Sequence, residues 1–273
     1  MELSRLETLL DAMCNGEQVD ITPQSRHELL LLCLLKGEQP TLNPQSRLET
    51  YLVKICEQGV GGGSSGGSIQ NGIEYLEVDS SNNLIKAKVY GNSVPNNAFY
   101  DCYNLALTEL SSSIISIGDN AFRGCGNLAL TELPSGITSI GDSAFDRCGN
   151  LALTELPSGI TSIGDSAFNS CEYLALTELP SGITSIVDRV FQRCYNLALT
   201  ELPSGITSIG YHAFFDCSNL TELTFKGTPT TISSEAFYFC TNLKTINVPW
   251  AEGEVADAPW GATNAIINYN YVG

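Results

Sequence analysis

The 273-residue chain is poor in the residues that catalysis and nucleic-acid binding need. It has two histidines, and its 13 Lys+Arg stand against 30 Asp+Glu, a formal net charge of −17. Residues 61–273 carry −13 of that imbalance. A surface this acidic repels phosphate backbones and anionic lipid headgroups, which argues against nucleic acid and against adsorption to anionic membranes. Long apolar runs are missing. The longest, Leu29 to Leu35, has seven residues and cannot span a bilayer, so no membrane insertion is expected. The start, MELSRLETLLDAMC, has no basic stretch ahead of an apolar core and does not read as a secretory signal. The expectation is a soluble chain made in the cytoplasm.

Motifs of reaction chemistry are missing too. There is no HExxH, no CxxC, no glycine-rich phosphate loop after a strand, and no recognisable Ser/His/Asp set. His27 sits on a helical pattern. His212 occupies a repeat position that other copies fill with Asn120, Ser143, Ser166, Arg189 or Glu235, which is not how a catalytic residue behaves. No enzyme, cofactor or metal site is expected.

What the chain has is a period. Phe99, Phe122, Phe145, Phe168, Phe191, Phe214 and Phe237 stand 23 residues apart, and each is followed three residues later by a cysteine, Cys102 through Cys240. Seven pairs at one spacing mean a solenoid, one supersecondary unit stacked on copies of itself. The unit is clearest at 151–173, LALTELPSGITSIGDSAFNSCEY, and is numbered here 1 to 23 from its first leucine. Apolar residues fall at positions 1, 3, 6, 10, 13, 17, 18 and 21. Pro-Ser-Gly at 7–9 is turn chemistry. Ile-Thr-Ser-Ile at 10–13 suits a short strand. Asp-Ser-Ala-Phe at 15–18 reads as a helical or 3₁₀ turn with the Asp as its cap. The repeated cysteine reads as a small buried hydrophobe and a free thiol, because parallel side chains in a ladder pair poorly into disulfides.

The pattern L-x-x-x-x-[IL]-P-x-x-[IV]-x-x-I-G-x-x-A-F-x-x-C-x-[NS] resembles the BspA-like class of bacterial leucine-rich repeats over roughly residues 84–249. The resemblance implies a β-rich leucine-rich-repeat solenoid. One departure matters: the central copies carry leucine at position 3 and threonine at position 4 (Thr108, Thr131, Thr154, Thr177, Thr200), where the family has an apolar residue at position 4. A local shift or bulge is expected there. The last two copies return to the family form with Leu223 and Ile246.

The flanks read as follows. Residues 1–58 repeat Ser-Arg-x-Glu at Ser4, Ser25 and Ser46, with leucines at helical spacing, and are expected to form a small all-α module of three short helices. Cys14, Cys33 and Cys56 belong to its core. Residues 59–68 are a Gly/Ser linker, 69–98 an N-terminal cap with two strands about the turn Asp79–Asn83, 99–249 the repeats, and 250–273 a C-terminal cap anchored by Trp250 and Trp260. The Ser-Arg-x-Glu helices and the tail also resemble segments of bacteriophage and prophage structural proteins. That second resemblance implies a virion-associated protein whose helical module docks on a larger assembly or self-associates.

Function rests on binding. Asp119, Asp142, Asp165 and Asp188 form one acidic ladder, and Glu109, Glu132, Glu155, Glu178 and Glu201 another; the second reads as a solvated edge that resists lateral association. Differences between copies gather at positions 16, 19, 20 and 22. The expected contact face is therefore Tyr100, Tyr103, Arg123, Arg147, Glu172, Arg193, Tyr195, His212, Phe215 and Tyr238, residue types that make contact hot spots. The expected partner is a protein or glycan on a cell surface. The leading reading is a phage or prophage tail-associated or host-surface-binding module. The alternatives are a bacterial cell-surface adhesin of the BspA-like class and a purely structural spacer.

Overall fold

The computed structural model describes residues 69–70, 73–78, 84–107 and 110–272. The expected helical module, its three cysteines and the linker lie outside them, as do Thr108 and Glu109. Ile73–Val78 and Leu84–Val89 pair antiparallel, with Ile73 opposite Val89 and a register shift after Tyr75; the expected turn Asp79–Asn83 lies outside the described residues. The Ala106 N–H donates to the Ile85 carbonyl at 2.8 Å, so the second of these strands is bonded to the coil from Leu105.

From there the chain is a parallel β-solenoid of about eight turns. Each coil contributes a two-residue strand at positions 12–13, from Ser93–Val94 to Thr231–Ile232, and paired strands keep one register: Ser116 lies opposite Ser139, and Ile117 opposite Ile140. A second ladder, at positions 3–6, appears late. Glu201–Leu202, Glu222–Phe225, Thr245–Asn247 and the final strand Ile266–Asn268 form it. The central copies lack it. Leu151 and Leu153 are both fully buried, so the next two residues must bulge out before Leu156 can turn in, and Thr154 and Glu155 stand exposed. The expected irregularity is found in the copies from Leu128, Leu151 and Leu174; the copy from Leu197, with Leu199 at position 3, already pairs Glu201–Leu202 with the next coil.

The core is a set of internal ladders. Phe99 to Phe237 are all buried, and neighbouring rings stack with centroids 5.1–5.8 Å apart. Cys102 to Cys240 are free and buried. From Cys125 onward each thiol donates to the carbonyl of the phenylalanine 26 residues earlier, as Cys148 does to Phe122 at 3.0 Å. Burial pushes these thiols above their ordinary range, Cys240 to about 12. The C-terminal residues close the stack: the Phe237 N–H donates to the Trp260 carbonyl, and buried Trp260 and Trp250 pack about Phe225.

The expected helical or 3₁₀ turn at positions 15–20 is not a helix, and among the described residues there is none. Backbone amides alternate there. In the coil from Leu105, Ala121, Arg123 and Cys125 donate three residues back, whereas Asn120, Phe122 and Gly124 donate outward to Asp142, Ala144 and Asp146 of the next coil. A helix would turn all these donors inward and leave the coils unjoined. The alternation requires a left-handed residue at position 16 and another at position 20, and the chain supplies them, with φ of 52° at Asn120 and 75° at Gly124.

The position-15 aspartates correct a second expectation. They do not cap a turn within their own coil. Asp142 Oδ1 accepts the backbone N–H of Asp165 in the next coil at 2.9 Å, and Asp119 does the same for Asp142. Glycine at position 14 follows from this geometry: a Cβ on Gly164 would lie 2.3 Å from Asp142 Oδ1.

Candidate functional site

Two surfaces of the coils differ in what they display. On the strand side, Glu132, Glu155 and Glu178 are exposed along an open groove of about 580 Å³ walled by Leu133, Pro134, Leu156 and Pro157. It repeats the same residues coil after coil. The turn side carries the variation. All four arginines of residues 61–273 lie there, Arg123 at position 19, Arg147 and Arg193 at 20, Arg189 at 16. So do the six strongly exposed aromatics of the repeats, at positions 15 to 23: Tyr100, Tyr103, Tyr173, Tyr211, Tyr238 and Phe239.

The expected contact residues share this side but do not act alike. Those at position 19 pair with one another along the stack. The Arg123 guanidinium lies 5.5 Å from the Tyr100 ring centroid and its Nε donates to Asp146 Oδ2 at 2.9 Å. Asn169 Nδ2 donates to Asp146 Oδ1 at 2.8 Å. Asp146 is 4% exposed, and that burial pushes its carboxyl up against the opposing pull of Arg123 and Arg147. Variation at this position is thus complementarity between coils. A phenylalanine stacks well on its own copy, but a charged side chain repeated about every 4.8 Å repels its copies. Unlike neighbours are the solution, and Arg123 is engaged by it. Tyr103 lies against Gly126 of the next coil, where a Cβ would come within 2.3 Å of its ring. Arg147, Glu172 and Arg193 are exposed, and Tyr195 half-buried.

Near the C-terminal end the ladder becomes aromatic. Phe215 and Tyr238 rings are 6.0 Å apart, and Phe239 meets both, edge-on to Phe215 at 5.4 Å and tilted to Tyr238 at 4.5 Å. His212 lies 4.5 Å from Phe215, stacks on Tyr211 at 3.8 Å and shares a 2.8 Å hydrogen bond with Glu235 Oε2. The Arg189 guanidinium sits 5.0 Å from the Tyr211 ring. Sequence alone points to His212, Phe215 and Tyr238 in this group. It does not single out Tyr211, Arg189, Glu235 and Phe239, yet a signal exists: Tyr211 replaces the aspartate of the position-15 ladder.

Repeats 23 residues long, with a buried Phe-Cys spine and parallel coils, invite comparison with known repeat proteins. The model of the BspA-type leucine-rich repeat region, in six copies, matches residues 92–217 and 188–256, together more than half of the chain. The chain belongs to this BspA-type family. A crystal structure of a leucine-rich cell surface protein from Faecalibacterium prausnitzii is 26% identical, with a TM-score of 0.54, over 68% of this chain and 55% of that one. The leucine-rich repeat protein of T. pallidum is 33% identical over 57% of this chain and 72% of that one, with a TM-score of 0.49. The chain thus spans little more than half the length of the Faecalibacterium protein. No curated protein matches the chain. The family match covers the BspA-type repeats and stops short of the end segments that resemble phage proteins, and that resemblance gains no support.

Proposed function

We propose that this chain is a non-enzymatic binding protein of the surface-adhesin kind, which meets its partner through the turn side of its BspA-type coils. One observation carries the reading: every arginine and every strongly exposed aromatic of the described repeats collects on the side where copies differ, while the strand side repeats itself. The strand side's glutamates repel one another and anything acidic; the turn side offers rings and guanidinium groups, the types enriched at contact hot spots. The kinship with a protein described as a cell surface protein favours attachment at a cell surface over the tail-associated role, which rests on the end segments alone.

The test uses the full chain, fluorescently labelled, on a panel of cultured mammalian and bacterial cells. Arg193→Glu, Tyr195→Ala and Tyr238→Ala should each lower cell binding severalfold and leave the urea midpoint within error. Glu132→Gln and Glu155→Gln should bind as the parent does. If the glutamate variants lose binding and the turn-side variants keep it, the contact face is the acidic strand side and the proposal fails.

A further inference from the structure

The aromatic end of the turn side has features that fold stability does not call for. Phe239 has a φ of 62°, a left-handed backbone that is unfavourable for a bulky residue. The same position elsewhere holds Asp101, Gly124, Ser170 or Asp216, small or turn-forming types, and the arginines Arg147 and Arg193; Phe239 is its one aromatic. Phe239 is 53% exposed, so it gains little from burial. Tyr238 and Tyr211 beside it are 41% and 39% exposed. Backbone bonds tie these rings into the stack: Arg193 and Asp216 donate to the carbonyls of Phe215 and Tyr238. The result is an open platform of rings, Phe215, Tyr238 and Phe239 set 50–73° to one another, edged by planar polar groups, the Arg189 guanidinium and the His212–Glu235 pair.

We propose that this platform binds carbohydrate through the apolar faces of pyranose rings. Resting on the turn-side reading above, the inference adds the partner's chemistry. Two features point to sugar. The rings of Tyr211, Tyr238 and Phe239 are exposed without an enclosing groove, which suits the flat apolar face of a pyranose. The flanking guanidinium, carboxylate and imidazole supply donors and acceptors in fixed geometry for ring hydroxyls.

The probes are β-1,4-linked hexasaccharides of glucose, of N-acetylglucosamine and of a uronate-containing repeat, titrated calorimetrically into the full chain. At least one should bind, and Tyr238→Ala should weaken it about tenfold. Phe239→Gly removes the ring and relieves the left-handed backbone, so it should weaken binding as much while leaving stability equal or higher. Tyr103→Ala, at the far end, should bind normally. Binding by none of the three sugars, or binding indifferent to both platform variants, overturns the proposal. A parallel arm separates it from its parent reading. Cells treated with periodate, which cleaves vicinal diols of sugars, should no longer be bound. Cell binding that survives periodate but is lost in Phe239→Gly leaves the turn-side reading standing and removes the carbohydrate. Cell binding untouched by the turn-side variants removes both.

Discussion

Two neighbouring junctions in the stack amount to an experiment already done. Where the coil from Leu151 lies on the one before it, Gly164 donates to the Ile140 carbonyl at 2.9 Å, Asp165 to Asp142 Oδ1 at 2.9 Å, and Ser162 pairs with Ser139. The next coil, from Leu174, differs in carrying Val187 and Val190 where the coils on either side have Gly and Ala. The strands Ser162–Ile163 and Ser185–Ile186 no longer pair, and the sheet breaks in two. The Asp188 N–H reaches Asp165 Oδ1 at 3.2 Å, and a narrow apolar gap opens between Ile163, Val187 and Val190. The turn side, however, runs through unbroken: Ser170 donates to Gln192 at 2.7 Å, and Cys194 to Phe168 at 3.1 Å. Valines at positions 14 and 17 accompany the loss of the strand pair and leave the turn side intact. The strand side needs glycine at position 14 where an Asp of the preceding coil lies against it; ahead of Ser233 that residue is Tyr211, and the Ser233 N–H still donates to the Ile209 carbonyl at 2.9 Å. The turn side depends on buried ladders with room for side chains.

If the turn side is what holds the seam closed, attacking it should produce the largest effect. Six buried thiols, Cys125 to Cys240, have their pKa raised by burial. A folded pKa above the unfolded one means that stability is fully present below the unfolded thiol value and is lost as pH rises past it. Each thiol then costs about 1.4 kcal/mol per pH unit, and six together about 8 kcal/mol per unit. Urea unfolding followed from pH 7 to 11 should show a steep decline above about pH 9, made shallower by Cys194→Ala at the seam. A flat profile to pH 11 would mean that the thiols are not buried in solution.

The strand side offers a smaller, two-way comparison. Gly164→Val copies the seam one coil earlier and drives a Cβ against Asp142 Oδ1 and the Asp142 amide, at 2.3 and 2.5 Å. A loss of about 3 kcal/mol in urea unfolding is expected from such overpacking. The reverse change, Val187→Gly with Val190→Ala, should restore the missing strand pair and gain about 1 kcal/mol, with slower amide exchange at Ile186 and position 187. If both variants destabilise equally, the seam has packed to suit its valines and the two junctions are equivalent.

The same contrast separates what a single repeat reveals from what only the stack reveals. Period, coil number and the buried Phe-Cys spine follow from spacing alone, since any residue recurring every 23 positions must occupy one place in every coil. The irregularity at positions 3 and 4 of the unit is visible as a conflict between two apolar alternations. The turn at 15–20 misleads because Asp-Ser-Ala-Phe is a good helix start in isolation; the outward amides that prevent a helix belong to the contact between coils. The left-handed signature is present in Asn97, Asn120, Asp101, Gly124 and Asp216, spread over different copies. The same holds for position 19. Its variability suggests a ligand, but Arg123 and Asp146 differ because they face each other, and no single repeat reveals that.

The mildest test probes that unlike ladder directly. Asp146 is a buried carboxylate whose burial raises its pKa while Arg123 and Asn169 draw it down. Because the net direction is upward, the acid's contribution is greatest below its unfolded pKa and is lost as pH rises through the folded one. Asp146→Asn loses the ion pair with Arg123, whose side chain is 34% exposed and can turn to water, but it also escapes the cost of a buried charge. The variant should therefore unfold within about 1 kcal/mol of the parent at pH 7, and the parent's advantage should be larger at pH 4 than at pH 7. Urea midpoints at pH 4, 5.5 and 7 measure it. A parent advantage that grows with pH would show that attraction to Arg123 outweighs desolvation. The outer ladder would then be held by charge, in contrast to the neutral Phe-Cys spine beneath it.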